Sequence, residues 1–80
     1  MNYSFDDFIC DLSAGREFDL NINGEMYGLS WCSRERICLS KYAGGVCAYF
    51  DNIEGFSDNA QVNNVLLREM WESVFVETIY

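Results

Sequence analysis

Four cysteines are the residues best able to do chemistry in this chain, and three of them fall close together as Cys32-x5-Cys38-x8-Cys47, with Cys10 far upstream. Thiolates are the preferred ligands of zinc, and four ligands complete a tetrahedral structural site. The paired C-x2-C knuckle that makes a strong zinc signature is absent. Convergence therefore depends on strand register. Neighbouring strands lie about 5 Å apart, so thiols facing the same way on adjacent strands can meet, and a single-residue slip scatters them. Cys10, on a helix, reaches the set only if that helix packs on the thiol side; otherwise water or a carboxylate such as Asp51 completes the site. Zinc is thus one expected state. The others are packed free thiols, since free cysteine behaves as a small buried hydrophobe, and disulfide or redox use, which is uncommon in a reducing compartment. The spacing favours packed thiols first and zinc second.

The chain contains no histidine, so the commonest general base is missing and no Ser/His/Asp or Cys/His arrangement exists. Carboxylate neighbours such as Asp6/Asp7 and Glu69/Glu72 read as solvated helix faces. Gly44-Gly45 is too short to cradle a phosphate and reads as a turn. The chain is not expected to be an enzyme. Thirteen acidic residues against five basic ones give a formal charge of −8. Such a surface repels nucleic acid directly and is drawn to basic protein surfaces, including those that hold nucleic acid.

The cysteines are carried by the stretch Tyr27 to Phe50, whose apolar residues alternate with small, polar or thiol ones. Side chains alternate across a strand, so Leu29 and Trp31, Ile37 and Leu39, and Val46, Ala48 and Phe50 are expected on the core face, and Cys32, Cys38 and Cys47 on the other. Ahead of this stretch, Phe5, Phe8, Ile9 and Leu12 recur at helical spacing behind Ser4, a good N-cap. Asp6 and Asp7 suit the helix dipole and Gly15 supplies a stop, which predicts a helix over Phe5 to Ser13. Phe18, Leu20 and Ile22 alternate with polar residues, and Asn23-Gly24 is a tight-hairpin dipeptide. Strands are expected from Phe18, from Glu25 to about Cys32, from Ile37 to about Tyr42 and from Val46 to Phe50, forming an antiparallel meander. In the turn-rich segment after Phe50, Ile53 and Phe56 are expected against the core, with a single helical turn. From Asn63 or Asn64, the stripe Leu66, Leu67, Met70, Trp71, Val74 and Phe75 predicts a C-terminal helix. The β-branched and aromatic residues of Val74 to Tyr80 leave open an extended ending.

The expected architecture is a single α+β domain over residues 1–80, with about four antiparallel strands, an N-terminal helix and a C-terminal helix. Half the residues are apolar and 16% aromatic, too hydrophobic for a disordered tail. The opening Met1 to Asp7 has no basic start, no apolar run follows it, and no stretch is long enough to span a membrane. A cytoplasmic protein is expected, without membrane association.

Phe50-Asp51-Asn52-Ile53-Glu54-Gly55-Phe56, then Val62-Asn63-Asn64 and Leu67-Arg68-Glu69-Met70-Trp71, resemble the ending of small acidic proteins from phages and mobile elements of Firmicutes. In those proteins an aspartate-bearing segment leads to a short helix, an Ile-Asp-Gly-like turn and a Leu-x-x-Ile-Trp helix; here Asn64 stands where that turn has glycine. The opening is similar too, with a short helix ending near Gly15, a strand and an Asn-Gly hairpin. The class includes type II anti-CRISPR proteins. The resemblance implies stoichiometric, non-enzymatic inhibition of a CRISPR effector nuclease, whose guide and target channels are positively charged, by blocking target DNA loading. Candidate contact residues, read from charge and expected exposure, are Asp6, Asp7, Asp11, Glu17, Asp19, Asp51, Glu54 and Asp58. The alternative expectation is a zinc-stabilised phage or mobile-element accessory protein that binds another basic host target.

Overall fold

Helix α1 forms where a cap, a stripe and a stop coincide. A computed structural model of the chain describes residues 3–45 and 47–80, and in it α1 spans Phe5–Ser13. The Ser4 hydroxyl accepts the Asp7 N–H at 3.0 Å while the Asp7 carboxylate accepts the Ser4 N–H at 3.1 Å. This reciprocal box satisfies two N–H groups that the first turn leaves without helical partners. Phe8 and Leu12 are buried, and Phe5 and Ile9 pack beside them. Gly15, at φ +95°, ends the helix.

Four strands follow as a meander: β1 Phe18–Ile22, β2 Glu25–Trp31, β3 Ile37–Lys41 and β4 Cys47–Phe50. Asn23 and Gly24 both take positive φ, 55° and 83°, the condition for a two-residue turn whose twist matches the strands. The expected fourth-strand start at Val46, and its place on the core face, lie outside the described residues.

The C-terminal third corrects the sequence reading. The segment after Phe50 holds a full short helix, α2 Ile53–Asn59, capped by Asn52, whose Oδ1 accepts the Gly55 N–H at 2.6 Å. No C-terminal helix follows. Instead there is a small hairpin, β5 Gln61–Val62 and β6 Val65–Leu66, then a single 3-10 turn at Trp71–Ser73 and strand β7 Val74–Ile79. The cause sits at the hairpin tip, where Asn63 and Asn64 adopt φ of 54° and 67°. A right-handed helix cannot pass through two left-handed residues. The β-branched tail then pairs antiparallel with β1, from Val74 opposite Ile22 to Ile79 opposite Phe18, with Glu77 as the extra residue of a bulge. The main sheet therefore has five strands in the order β4-β3-β2-β1-β7, rather than four.

Both helices lie on one face of this sheet, a two-layer α+β arrangement. Phe8 is the hub: its ring stacks on Trp71 at 4.4 Å and meets Phe18 at 4.8 Å and Phe56 at 6.1 Å. The strands contribute Phe18, Leu20, Ile22, Tyr27, Leu29, Ile37 and Leu39, and the C-terminal third adds Phe56, Val62, Leu67 and Trp71. The apolar residues of the expected stripe that enter the core do so from turns and a strand. Among the described residues no helix is long and apolar enough to cross a membrane.

Candidate functional site: the open sheet face and the acidic helix layer

Among the described residues nothing covers the second face of the sheet, and the register fixes what it displays. Thr78, Asp19, Gly28, Ser40 and Cys47 stand directly opposite one another across the five strands, with Ser30, Cys38 and Tyr49 in the neighbouring row. Small and polar side chains dominate. Tyr42, just past β3, lies across Gly28: a Cβ at Gly28 would come within 2.8 Å of the Tyr42 ring. Its hydroxyl donates to Asp19 Oδ1, and the Tyr80 hydroxyl donates to Asp19 Oδ2 at 2.5 Å. One carboxylate thus ties the turn after β3 to the chain beyond β7.

That clasp has an alkaline signature. Donation to the Asp19 carboxylate, with smaller contributions from burial and the Asp19 charge, pushes Tyr42 up from 10.0 to about 12, and the same carboxylate raises Tyr80. The raised folded value means that the bond's contribution is fully present below pH 10.0 and is lost as pH rises through about 12. Absorbance titration of phenolate should show Asp19→Asn releasing two tyrosines at lower pH than the parent. Superposable titration curves would contradict the clasp.

The sheet brings Cys38 and Cys47 into contact, leaves Cys32 close to Cys38, and separates Cys10 from all three. Cys38 and Cys47, diagonal neighbours on β3 and β4, have sulfurs 2.9 Å apart. Cys32 lies just beyond β2; its backbone N–H and its thiol both donate to the Arg36 carbonyl, at 2.9 and 3.5 Å. Cys10 sits exposed on α1, whose layer is on the opposite side of the sheet. Cys32 and Cys47 are also exposed, against the expectation of packed thiols, because the face they occupy is uncovered. Asp51 is drawn to Arg36 at 3.6 Å. Among the described residues no group of three or more Cys, Asp or Glu is arranged to hold a metal ion. Burial and the neighbouring Cys47 push the Cys38 thiol up to about 11, while donation from Cys38, and then from Tyr49, lowers Cys47.

The eight acidic candidates divide by layer and by task. Asp6 and Asp7 are exposed in the first turn of α1 and Glu54 in the first turn of α2. Asp58, in α2, pairs with Arg68 at 3.2 Å, and the Arg68 guanidinium also lies over the Phe5 ring at 5.6 Å. Asp11 is half-buried and accepts the Tyr3 hydroxyl at 2.6 Å. Glu17 is structural: its Oε2 accepts the Trp31 backbone N–H at 3.0 Å, next to the Trp31 indole N–H that donates to the Leu12 carbonyl at 3.1 Å. Asp19 belongs to the opposite, open face.

Sequence reasoning left an extended ending over Val74 to Tyr80 open, and the structure makes it β7, but its place as the edge of the sheet beside β1 was missed. Phe75 and Tyr80 are each 64% exposed there, and an open groove runs between this strand and the helix layer, lined by Tyr3, Phe5, Arg68, Trp71, Phe75 and Glu77 among others. The alternation of Val74 to Tyr80 was the available signal, but its pairing with β1 joins residues more than fifty positions apart. Comparison with protein-family models, with curated proteins and with solved structures finds no match to this chain.

Proposed function

We propose that this is a non-enzymatic binding protein whose acidic helix layer docks on a basic protein surface that otherwise holds nucleic acid. The sequence resemblance, whose opening helix, strand and Asn-Gly hairpin are present although Leu67 to Trp71 forms no α-helix, suggests a type II CRISPR effector nuclease as that partner, and blocked loading of target DNA as the consequence. The observation that carries the reading is the exposure of Asp6, Asp7 and Glu54 on neighbouring helices of one layer, none of them used by the three ion pairs among the described residues. A surface of this kind raises encounter rates with a positive channel and fixes orientation. It also opposes direct binding to phosphate backbones.

The test is a titration against a reconstituted effector–guide complex, reading both binding and target cleavage. Asp6→Lys with Glu54→Lys should weaken binding on the order of 10-fold or more at low salt, with the loss shrinking as salt rises, whereas Glu77→Lys on the strand edge should leave it unchanged. Equal binding by the double reversal and the parent would refute the electrostatic reading. Full cleavage at saturating protein would remove the nuclease as target.

A further inference from the structure

We propose that Cys38 and Cys47 form a dithiol site on the open sheet face that exchanges with small-molecule disulfides, closing reversibly into a cross-strand disulfide. This rests on the sheet geometry alone and is independent of the partner proposed above. The two thiols sit on adjacent antiparallel strands with the same facing, and their sulfurs are 2.9 Å apart. Closing to the ~2.05 Å of a disulfide requires them to approach by less than about 1 Å. Among the described residues β4 is an edge strand paired with β3 alone, so β4 can shift without breaking a second ladder.

The two sulfurs are not equivalent. Cys47 is exposed and Cys38 is half-buried, so an incoming disulfide meets Cys47 first. Cys47 also receives hydrogen bonds from Cys38 and Tyr49 that favour its thiolate, the form that attacks. The step balances without any bound cofactor. The Cys47 thiolate attacks one sulfur of an R–S–S–R molecule and forms a mixed disulfide, releasing one RS⁻. Cys38 then loses its proton to solvent and attacks the Cys47 sulfur, expelling the second RS⁻ and leaving Cys38–Cys47 joined. The protein's two thiols are oxidised, and the small disulfide is reduced to two thiols. Cys10 lies across the sheet and takes no part, and Cys32, although close to Cys38, has its thiol donating to the Arg36 carbonyl.

The experiment treats the full chain with oxidised glutathione, blocks remaining thiols with an alkylating reagent, and maps the products by mass spectrometry. Two of the four cysteines should escape alkylation, joined as Cys38–Cys47, without retained glutathione. Cys38→Ser should stop at a stable glutathione adduct on Cys47, and Cys10→Ser and Cys32→Ser should behave as the parent. Because the bond closes a short loop, the oxidised protein should melt roughly 10 °C higher than the reduced one. Persistent adducts on the parent, a bond to Cys10 or Cys32, covalent dimers, or a melting temperature that fails to rise would each overturn the proposal.

Discussion

Phe8→Ala should lower the melting temperature by roughly 15–30 °C and bring the protein close to unfolding at ambient temperature. Phe8 has no exposed surface, and its ring touches Phe5, Phe18, Phe56 and Trp71, which arrive from α1, β1, α2 and the turn before β7. Truncating such a phenylalanine costs about 3–5 kcal/mol, because the transfer energy is lost and the cavity does not fully collapse. A domain of this length holds only about 4–12 kcal/mol in total. Small domains also bury a low fraction of their surface, so no second core takes up the loss. The cavity would open where both layers meet. Thermal melts of Phe8→Ala and Phe5→Ala decide the matter. Phe5 is only half-buried and should cost clearly less, and equal losses at the two positions would mean that the core is not centred on Phe8.

Local signals made the first half of the fold legible. Ser4 with Asp7, the Phe5 to Leu12 stripe and Gly15 bracket α1 within nine residues, and Asn23-Gly24 sets the first hairpin without long-range help. The same alternation placed Cys38 and Cys47 on one face. It could not set their distance, which depends on a diagonal between strands. The C-terminal third was misread because Leu66, Leu67, Met70, Trp71, Val74 and Phe75 satisfy helical spacing by coincidence. Leu67 and Trp71 do reach the core, whereas Phe75 is turned outward on β7. The overlooked signal was Asn63-Asn64, since asparagine is the residue other than glycine that most readily takes positive φ. The acidic surface was legible as a composition, but not the separate tasks of its members. Glu17 holding the Trp31 backbone and Asp19 holding two tyrosines are contacts between residues distant in sequence.

Deleting Val74 to Tyr80 should abolish cooperative unfolding altogether, a larger effect than expected of a C-terminal segment with so much exposed surface. Most of its side chains face solvent, yet its backbone supplies the whole outer ladder of β1, from Ile22 to Phe18. Without it, β1 becomes an edge whose Phe18, Leu20 and Ile22 are the most deeply buried row of the sheet. Val74 and Val76 leave the core at the same time, and the Tyr80 bonds to Asp19 and to the Glu17 carbonyl disappear. A synthetic peptide covering residues 71–80, added in trans, should restore a cooperative melt by strand addition, and a scrambled peptide should not. Were residues 64–75 an amphipathic helix lying on the sheet, the truncation would leave most of it in place and the melt would survive. Circular dichroism and calorimetry on the truncated chain, with and without peptide, separate the two cases. Retention of the parent's melting temperature would show that β1 does not depend on β7.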